Sequence, residues 1–185
     1  MAQKKTDKDK VIDAALVLFR VNGYHHTSMQ DISQACGLLK GSIYHYFPGK
    51  KELAIAALER VIEDAREKLF APLLNGDASV EARLRHLGDA VEGYFIGREG
   101  GCLMGNLALE VGDQVPEFMD CIRRYFAEWA IALTRLLEGK YGHERAAQLA
   151  EDAIARVQGA IMMMGVNKDE KILRRANRDV VQLLA

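Results

Sequence analysis

The stretch TSMQDISQACGLLKGSIYHYF, Thr27 to Phe47, decides the reading of this chain. Ser28 followed three residues later by Asp31 is a capping-box pattern that opens a short helix, and Gly37 supplies the left-handed conformation that ends it. A second short helix runs from Leu39 to Phe47 and stops at Pro48-Gly49. Two such helices about one tight turn set Ile32 and Cys36 against Leu38 and Ile43, with Ser33 small enough for close approach. That is the geometry of a helix-turn-helix. With Ile43 and Phe47 turned inward at i and i+4, the opposite side of the second helix presents Lys40, Gly41, Ser42, Tyr44 and His45. A cation, a hydroxyl, a phenol and an imidazole then share one element narrow enough for the major groove of DNA. Gly41 lets the backbone come close.

The flanks carry groups suited to phosphate. Thr27 and Ser28 stand at the start of the first short helix, and Lys50 and Lys51 at the start of the helix that follows Pro48-Gly49, where free N–H groups and the helix dipole favour an anion. Lys4, Lys5, Lys8 and Lys10 read as a flexible basic arm. The charge balance agrees: residues 1–51 hold eight Lys/Arg against four acids, a surplus of +4, whereas the remaining residues hold 17 basic and 22 acidic groups, a deficit of 5. A basic head on an acidic body points to a polyanion met by the head alone.

Outward from this stretch the periodicity is helical. Val11, Ile12, Ala15, Leu16 and Phe19 line one face of a first helix stopped by Asn22-Gly23. A long helix from about Lys51 carries Leu53, Ala57, Val61, Ala65 and Leu69 and is expected to break at Pro72 and Asn75-Gly76. Beyond it the spacing predicts helices over Ser79–Ile96, Cys102–Val111, Val115–Glu138, Glu144–Met164 and Asp169–Leu184. No stretch alternates with period two, so the expectation is an all-α protein of about nine helices. The division expected is a helix-turn-helix domain over 1–50 and a helical effector-binding and dimerisation domain over 51–185.

Composition bounds the function. An apolar share of 49%, a charged share of 28% and three prolines in 185 residues fit a globular chain and exclude low complexity. No apolar run approaches the roughly 18 residues of a membrane span, and the first ten residues lack a signal-peptide core, so the expected location is the cytoplasm. Three cysteines, Cys36, Cys102 and Cys121, without a Cys-x-x-Cys pair suggest neither disulfides nor zinc. His25, His26, His45, His86 and His143 show no metal-ligand spacing, and no nucleophile motif or phosphate loop is present. No catalytic residue, metal or cofactor is expected.

The residues Phe19, Gly23, Tyr24, Thr27, Ser28, Ile32, Cys36-Gly37, Lys40-Gly41-Ser42, Tyr44-His45-Tyr46-Phe47 and Lys50, and above all YHYFPGKKEL from Tyr44 to Leu53, resemble the N-terminal domain of the TetR family of bacterial transcriptional regulators. Two positions depart from the family pattern. Leu39 stands where a Ser or Thr commonly caps the third helix, and Ser33 where Ala is usual; without the capping hydroxyl, more of that contact falls to Lys40. The resemblance implies a homodimer joined through its last two long helices, a palindromic operator met in successive major grooves, and repression relieved by a small-molecule effector bound in the C-terminal bundle.

For that effector the body offers Tyr94, Phe95, Cys102, Met104, Asn106, Phe118 and Trp129, an aromatic and sulfur-rich set with a few polar handles that serves equally well as ordinary core. Cys102, after Gly100-Gly101 at a helix start, suggests an alternative redox or electrophile sensor, since a helix N-terminus lowers a thiol pKa. Met162-Met163-Met164 spans nearly a helical turn, so at least one of the three faces away from the core toward a partner or ligand. Ala146, Ala147, Ala150, Ala153, Ile154, Val157, Ala160 and Ile161 give the same helix a small-residue face that fits a dimer seam or packing within the chain. A rival of another class is a helical ligand-binding or adaptor protein without DNA activity. Salt-dependent retention on duplex DNA separates it from a regulator. In the regulator, a ligand among the body helices tilts the helix from Lys51 and changes the separation of two reading heads.

Overall fold

In the computed structural model, residues 7–75 and 78–184 are described, and among them no strand occurs. The helices are α1 (Asp7–Asn22), α2 (Met29–Cys36), α3 (Lys40–Tyr46), α4 (Lys50–Ala65), α5 (Ala71–Leu74), α6 (Val80–Phe95), α7 (Leu103–Val111), α8 (Pro116–Tyr141), α9 (His143–Asn167) and α10 (Lys171–Leu184). A π-helical turn, Arg66–Phe70, joins α4 to α5, and a 3₁₀ turn, Gly112–Gln114, precedes α8. With Lys50–Leu74 taken as one interrupted run, the described residues form nine helices.

Two boundaries differ from the sequence expectation. The first helix begins at Asp7, four residues before Val11, because Asp7 and Asp9 place negative charge on its first turn. Lys8 and Lys10 are therefore helical and not part of a flexible arm. The Lys10 ammonium lies 2.7 Å from Asp7, and that of Lys8 lies 5.7 Å from the centre of the Phe47 ring. Lys4 and Lys5 lie outside the described residues. Nor does Pro72 end the long helix. The Ala71 N–H reaches back five residues to the Arg66 carbonyl, so the ladder widens just before the proline, whose missing N–H and bulky ring oppose regular α-helix.

The chain divides into two compact units. The first gathers the residues up to Val61 together with Leu103–Ile122, and the second gathers Ile62–Cys102 and Arg123–Ala185. Compactness thus groups α7 and the start of α8 with the N-terminal helices, whereas the sequence reading cut the chain once, at residue 50. Helix periodicity marks faces but not partners.

In the first unit, Val11, Ala15 and Phe19 of α1, Ile32 of α2, Ile43 of α3 and Leu107 of α7 are fully buried. The Arg60 guanidinium of α4 sits 2.6 Å from Asp9 and ties α4 to α1. In the second unit α10 packs on both α6 and α9. The Asn177 amide, 6% exposed, donates to the Gly88 carbonyl at 3.2 Å and to Glu92 at 3.1 Å, and Arg174 reaches Glu92 at 2.9 Å. The small-residue face of α9 is used inside the chain: Ala146, Ala150, Ala153, Val157 and Ala160 are all buried. Met164 joins that face, while Met162 and Met163 point outward, 60% and 42% exposed.

Candidate nucleic-acid interface

The capping box at the start of α2 forms as its spacing requires. The Asp31 N–H donates to Ser28 Oγ at 3.2 Å, and the Ser28 N–H donates to Asp31 Oδ2 at 2.8 Å. At the far end Gly37 adopts φ +69° and ψ +26°, a conformation that a β-carbon disfavours. The turn is then closed by Leu38 N–H to the Ser33 carbonyl at 3.2 Å and by Ser33 Oγ to the Leu38 carbonyl at 2.6 Å. Ser33 therefore does more than leave room: its hydroxyl pins the residue that leads into α3. Ile32 and Ile43 are fully buried and Phe47 is 5% exposed, which fixes α3 by its inner side. Cys36 and Leu38 are half-buried.

Lys40, Gly41, Ser42, Tyr44 and His45 are all exposed. The Lys40 ammonium stands 5.9 Å from the centre of the Tyr44 ring, and His45 meets Tyr46 edge-on at 5.4 Å. At Gly41 a β-carbon would touch nothing within 4 Å, so the glycine leaves open space over the backbone.

The flanking groups depart from expectation. Thr27 is 1% exposed and its hydroxyl donates to the Gly23 carbonyl at 2.7 Å, so that hydroxyl closes a turn. Ser28 remains exposed. Lys50 turns inward: its ammonium donates to the Tyr24 carbonyl at 2.8 Å and lies 4.3 Å from the centre of the Tyr24 ring. Burial lowers its pKa, with the Glu110 carboxylate opposing that shift. Lys51 pairs with Glu117 at 2.5 Å. Both lysines thus have protein partners where the sequence offered them to DNA.

A residue that sequence reasoning missed organises this corner. Glu110 of α7 accepts the Tyr24 N–H at 2.9 Å and the His25 N–H at 2.7 Å. Gly23, at φ +84°, lies so close that an added β-carbon would stand 2.9 Å from Glu110 Oε2. The ring of Tyr24 packs edge-on against Phe118 at 5.0 Å, and the Asn106 amide donates to the Arg20 carbonyl at 3.2 Å. One signal was available: Glu110 is the sole charged residue of α7, LMGNLALEV.

The proposed effector residues separate accordingly. Met104, Asn106 and Phe118 belong to the first unit, where Met104 and Phe118 are fully buried. Tyr94, Phe95, Cys102 and Trp129 belong to the second. There Phe70, Tyr125 and Trp129 form an aromatic cluster, with Phe70 5.9 Å from Tyr125 and 6.5 Å from Trp129. Burial pushes the Tyr125 hydroxyl well above its ordinary pKa, with Cys102 and Tyr94 adding to the shift. Cys102 itself is 8% exposed. A cleft of about 670 Å³ between α6 and α10 is lined by Glu81, Arg85, Asp89, Glu92, Arg174 and Arg178, and takes in none of the residues that the sequence nominated.

The box at α2 titrates. Asp31 is held below its ordinary pKa by the backbone and hydroxyl of Ser28. Its contribution is complete above the unfolded carboxylate pKa and is lost as pH falls through the lowered folded value. The protection factors of the amides at the first turn of α2, taken relative to intrinsic exchange at each pH, are therefore expected to fall on acidification, and Asp31→Asn should abolish that step. An identical acid profile in the variant would contradict it.

Comparison with known proteins agrees with this geometry. Residues 11–57 match the family described as bacterial regulatory proteins, tetR family, and residues 78–179 match the C-terminal domain of LmrA/YxaF-like transcriptional regulators. The Bacillus subtilis helix-turn-helix transcriptional regulator YxaF is 29% identical over 92% of this chain and 91% of its own. A TetR transcriptional regulator from Chloroflexus aurantiacus is 30% identical, with a TM-score of 0.81 over 95% of this chain and 92% of that one. One from Legionella pneumophila, 23% identical, shares the fold with a TM-score of 0.90 over the full length of both. Among the described residues no helix is long and apolar enough to cross a membrane. The matches take in the N-terminal helices and the body alike, and the chain belongs to the TetR family of bacterial transcriptional regulators.

Proposed function

We propose that this regulator is a cytoplasmic repressor that binds a palindromic operator as a homodimer and is released by a small-molecule effector. The observation that carries the reading is the two-sidedness of α3: Ile43 and Phe47 anchor one side, while Lys40, Gly41, Ser42, Tyr44 and His45 leave the other free for a groove. Ser28 and the N-terminus of α2 supply phosphate contacts beside it. Met162, Met163 and Val166, exposed on α9, support a surface buried between two copies. Two heads related by a twofold axis then meet successive major grooves.

For the effector, the second unit's Tyr94, Phe95, Cys102 and Trp129 are the proposed contacts. The buried Trp129 indole N–H has no acceptor among the described residues, and a ligand oxygen would supply one. Release requires that the effector favour the state that cannot hold the operator. A coupling of about 1 to 3 kcal/mol weakens operator binding roughly 5- to 150-fold.

Selection of bound duplexes from a random pool tests the reading, and a palindrome is the expected product. On that duplex Tyr44→Ala should cost at least about 1 kcal/mol of specific affinity, while Lys40→Ala should lower the salt slope by about one unit per protomer. If both variants hold the duplex as tightly as the parent at every salt concentration, this face of α3 is not the reading surface.

A further inference from the structure

We propose that Leu39 reads a thymine methyl group, which makes it a specificity-determining residue of the operator-binding face; the inference rests on the placement of α3 in the major groove proposed above. Leu39 occupies the N-cap of α3 with extended backbone, φ −66° and ψ +143°, and offers the helix no side-chain hydrogen bond. Its side chain is 80% exposed, whereas Ile43, one turn further on, is fully buried. The extended backbone at the cap takes Leu39 off the inner stripe that Ile43 and Phe47 occupy.

In the free protein this residue is unfavourable twice over. A Ser, Thr, Asp or Asn would satisfy an orphan N–H of the first turn, which leucine cannot do. A leucine held in water also gains nothing from its apolar surface. A single exposed leucine is ordinary on a protein surface. Its position here is not, because the N-terminal residues of a recognition helix are those that reach base edges. The exposed residues between Leu39 and Tyr46 otherwise offer a cation, a bare backbone, a hydroxyl and three aromatic rings. Hydrogen-bonding groups read the oxygen and nitrogen atoms of the groove, while the C5 methyl of thymine is matched by apolar contact. Leu39 is the one aliphatic side chain on this face, and it stands at the end that enters the groove.

The test uses the full-length protein and the duplex selected from a random pool. Each thymine of the recognised sequence is replaced in turn by deoxyuridine, which removes only the methyl group. At one position the parent should lose roughly three- to fivefold in affinity, the worth of one buried methyl. Leu39→Ala and Leu39→Ser, which remove the contact from both half-sites of the homodimer, should bind the thymine duplex more weakly by about the square of that factor and be indifferent to that one replacement, a coupling that isolates the pair. Leu39→Ser also supplies the missing cap, so its melting temperature should rise while its operator affinity falls. A general structural role would move both in the same direction. If both variants keep the parent's full sensitivity to every replacement, or if no thymine is sensitive, the inference is overturned and α3 remains the reading helix. If no duplex is selected and none is retained at low salt, the reading of α3 falls with it.

Discussion

Phe118→Ala should destabilise the first unit by about 3 to 5 kcal/mol, the usual cost of removing a fully buried ring. Phe118 is 0% exposed and meets Tyr24 edge-on at 5.0 Å, while Tyr24 in turn lies 5.7 Å from Phe19. Above the Tyr24 ring sits the Lys50 ammonium, at 4.3 Å from its centre. Truncating Phe118 opens a cavity under this stack and loses the edge-to-face contact, worth about 0.5 to 1.5 kcal/mol beyond area alone. Chemical denaturation gives the stability, and titration with the selected duplex gives the consequence for binding. The experiment also separates two roles for this residue. A ring that merely lined an effector pocket would leave near-parental stability and operator affinity on truncation, and that result would reject the packing described here.

Glu110→Ala is the second large effect, about 2 to 3 kcal/mol. Hydrogen bonds to a charged group contribute about 1.5 to 3 kcal/mol each. Of the two that Glu110 accepts, from the N–H groups of Tyr24 and His25, the one at the exposed His25 is replaced by water at little cost, so the sum is not reached. The amide of Tyr24, partly buried, carries most of the loss. Glu110→Gln retains one acceptor oxygen and should fall between the parent and the alanine variant. Amide exchange at Tyr24 and His25 is the direct measurement, and it should rise in the order parent, Gln, Ala. Unchanged exchange at both amides in Glu110→Ala would show that the carboxylate does not hold the turn.

The parts of the site that sequence made legible are those whose causes lie within a few residues of one another. The Ser28–Asp31 box, the left-handed Gly37 and the inward i, i+4 pair of Ile43 and Phe47 are local patterns, and each forms as read. The free side of α3 follows from them. What escaped are contacts made across the chain. Glu110 and His25 are 85 residues apart, and no periodicity links them. Lys50 stands at a helix start where its long stem can swing outward or inward, and the Tyr24 carbonyl and ring decide for inward. Thr27 reads as a helix-start hydroxyl but closes the preceding turn. Phe118 and Met104 are fully buried, and in a sequence aromatic and sulfur side chains look alike whether they line a cavity or fill a core. Pro72 reads as a stop because the pattern shows its missing donor and not the widened turn that accommodates it.

The Glu110 bonds and the Phe118 contact bear on how the protein is made. The first fifty residues are synthesised before α7 and the start of α8, yet the turn that leads into α2 is completed by side chains from both. The helix-turn-helix end of the nascent chain therefore matures late. A premature stop before Glu110 yields a peptide that carries α1 to α3 but lacks the side chains that complete their turn.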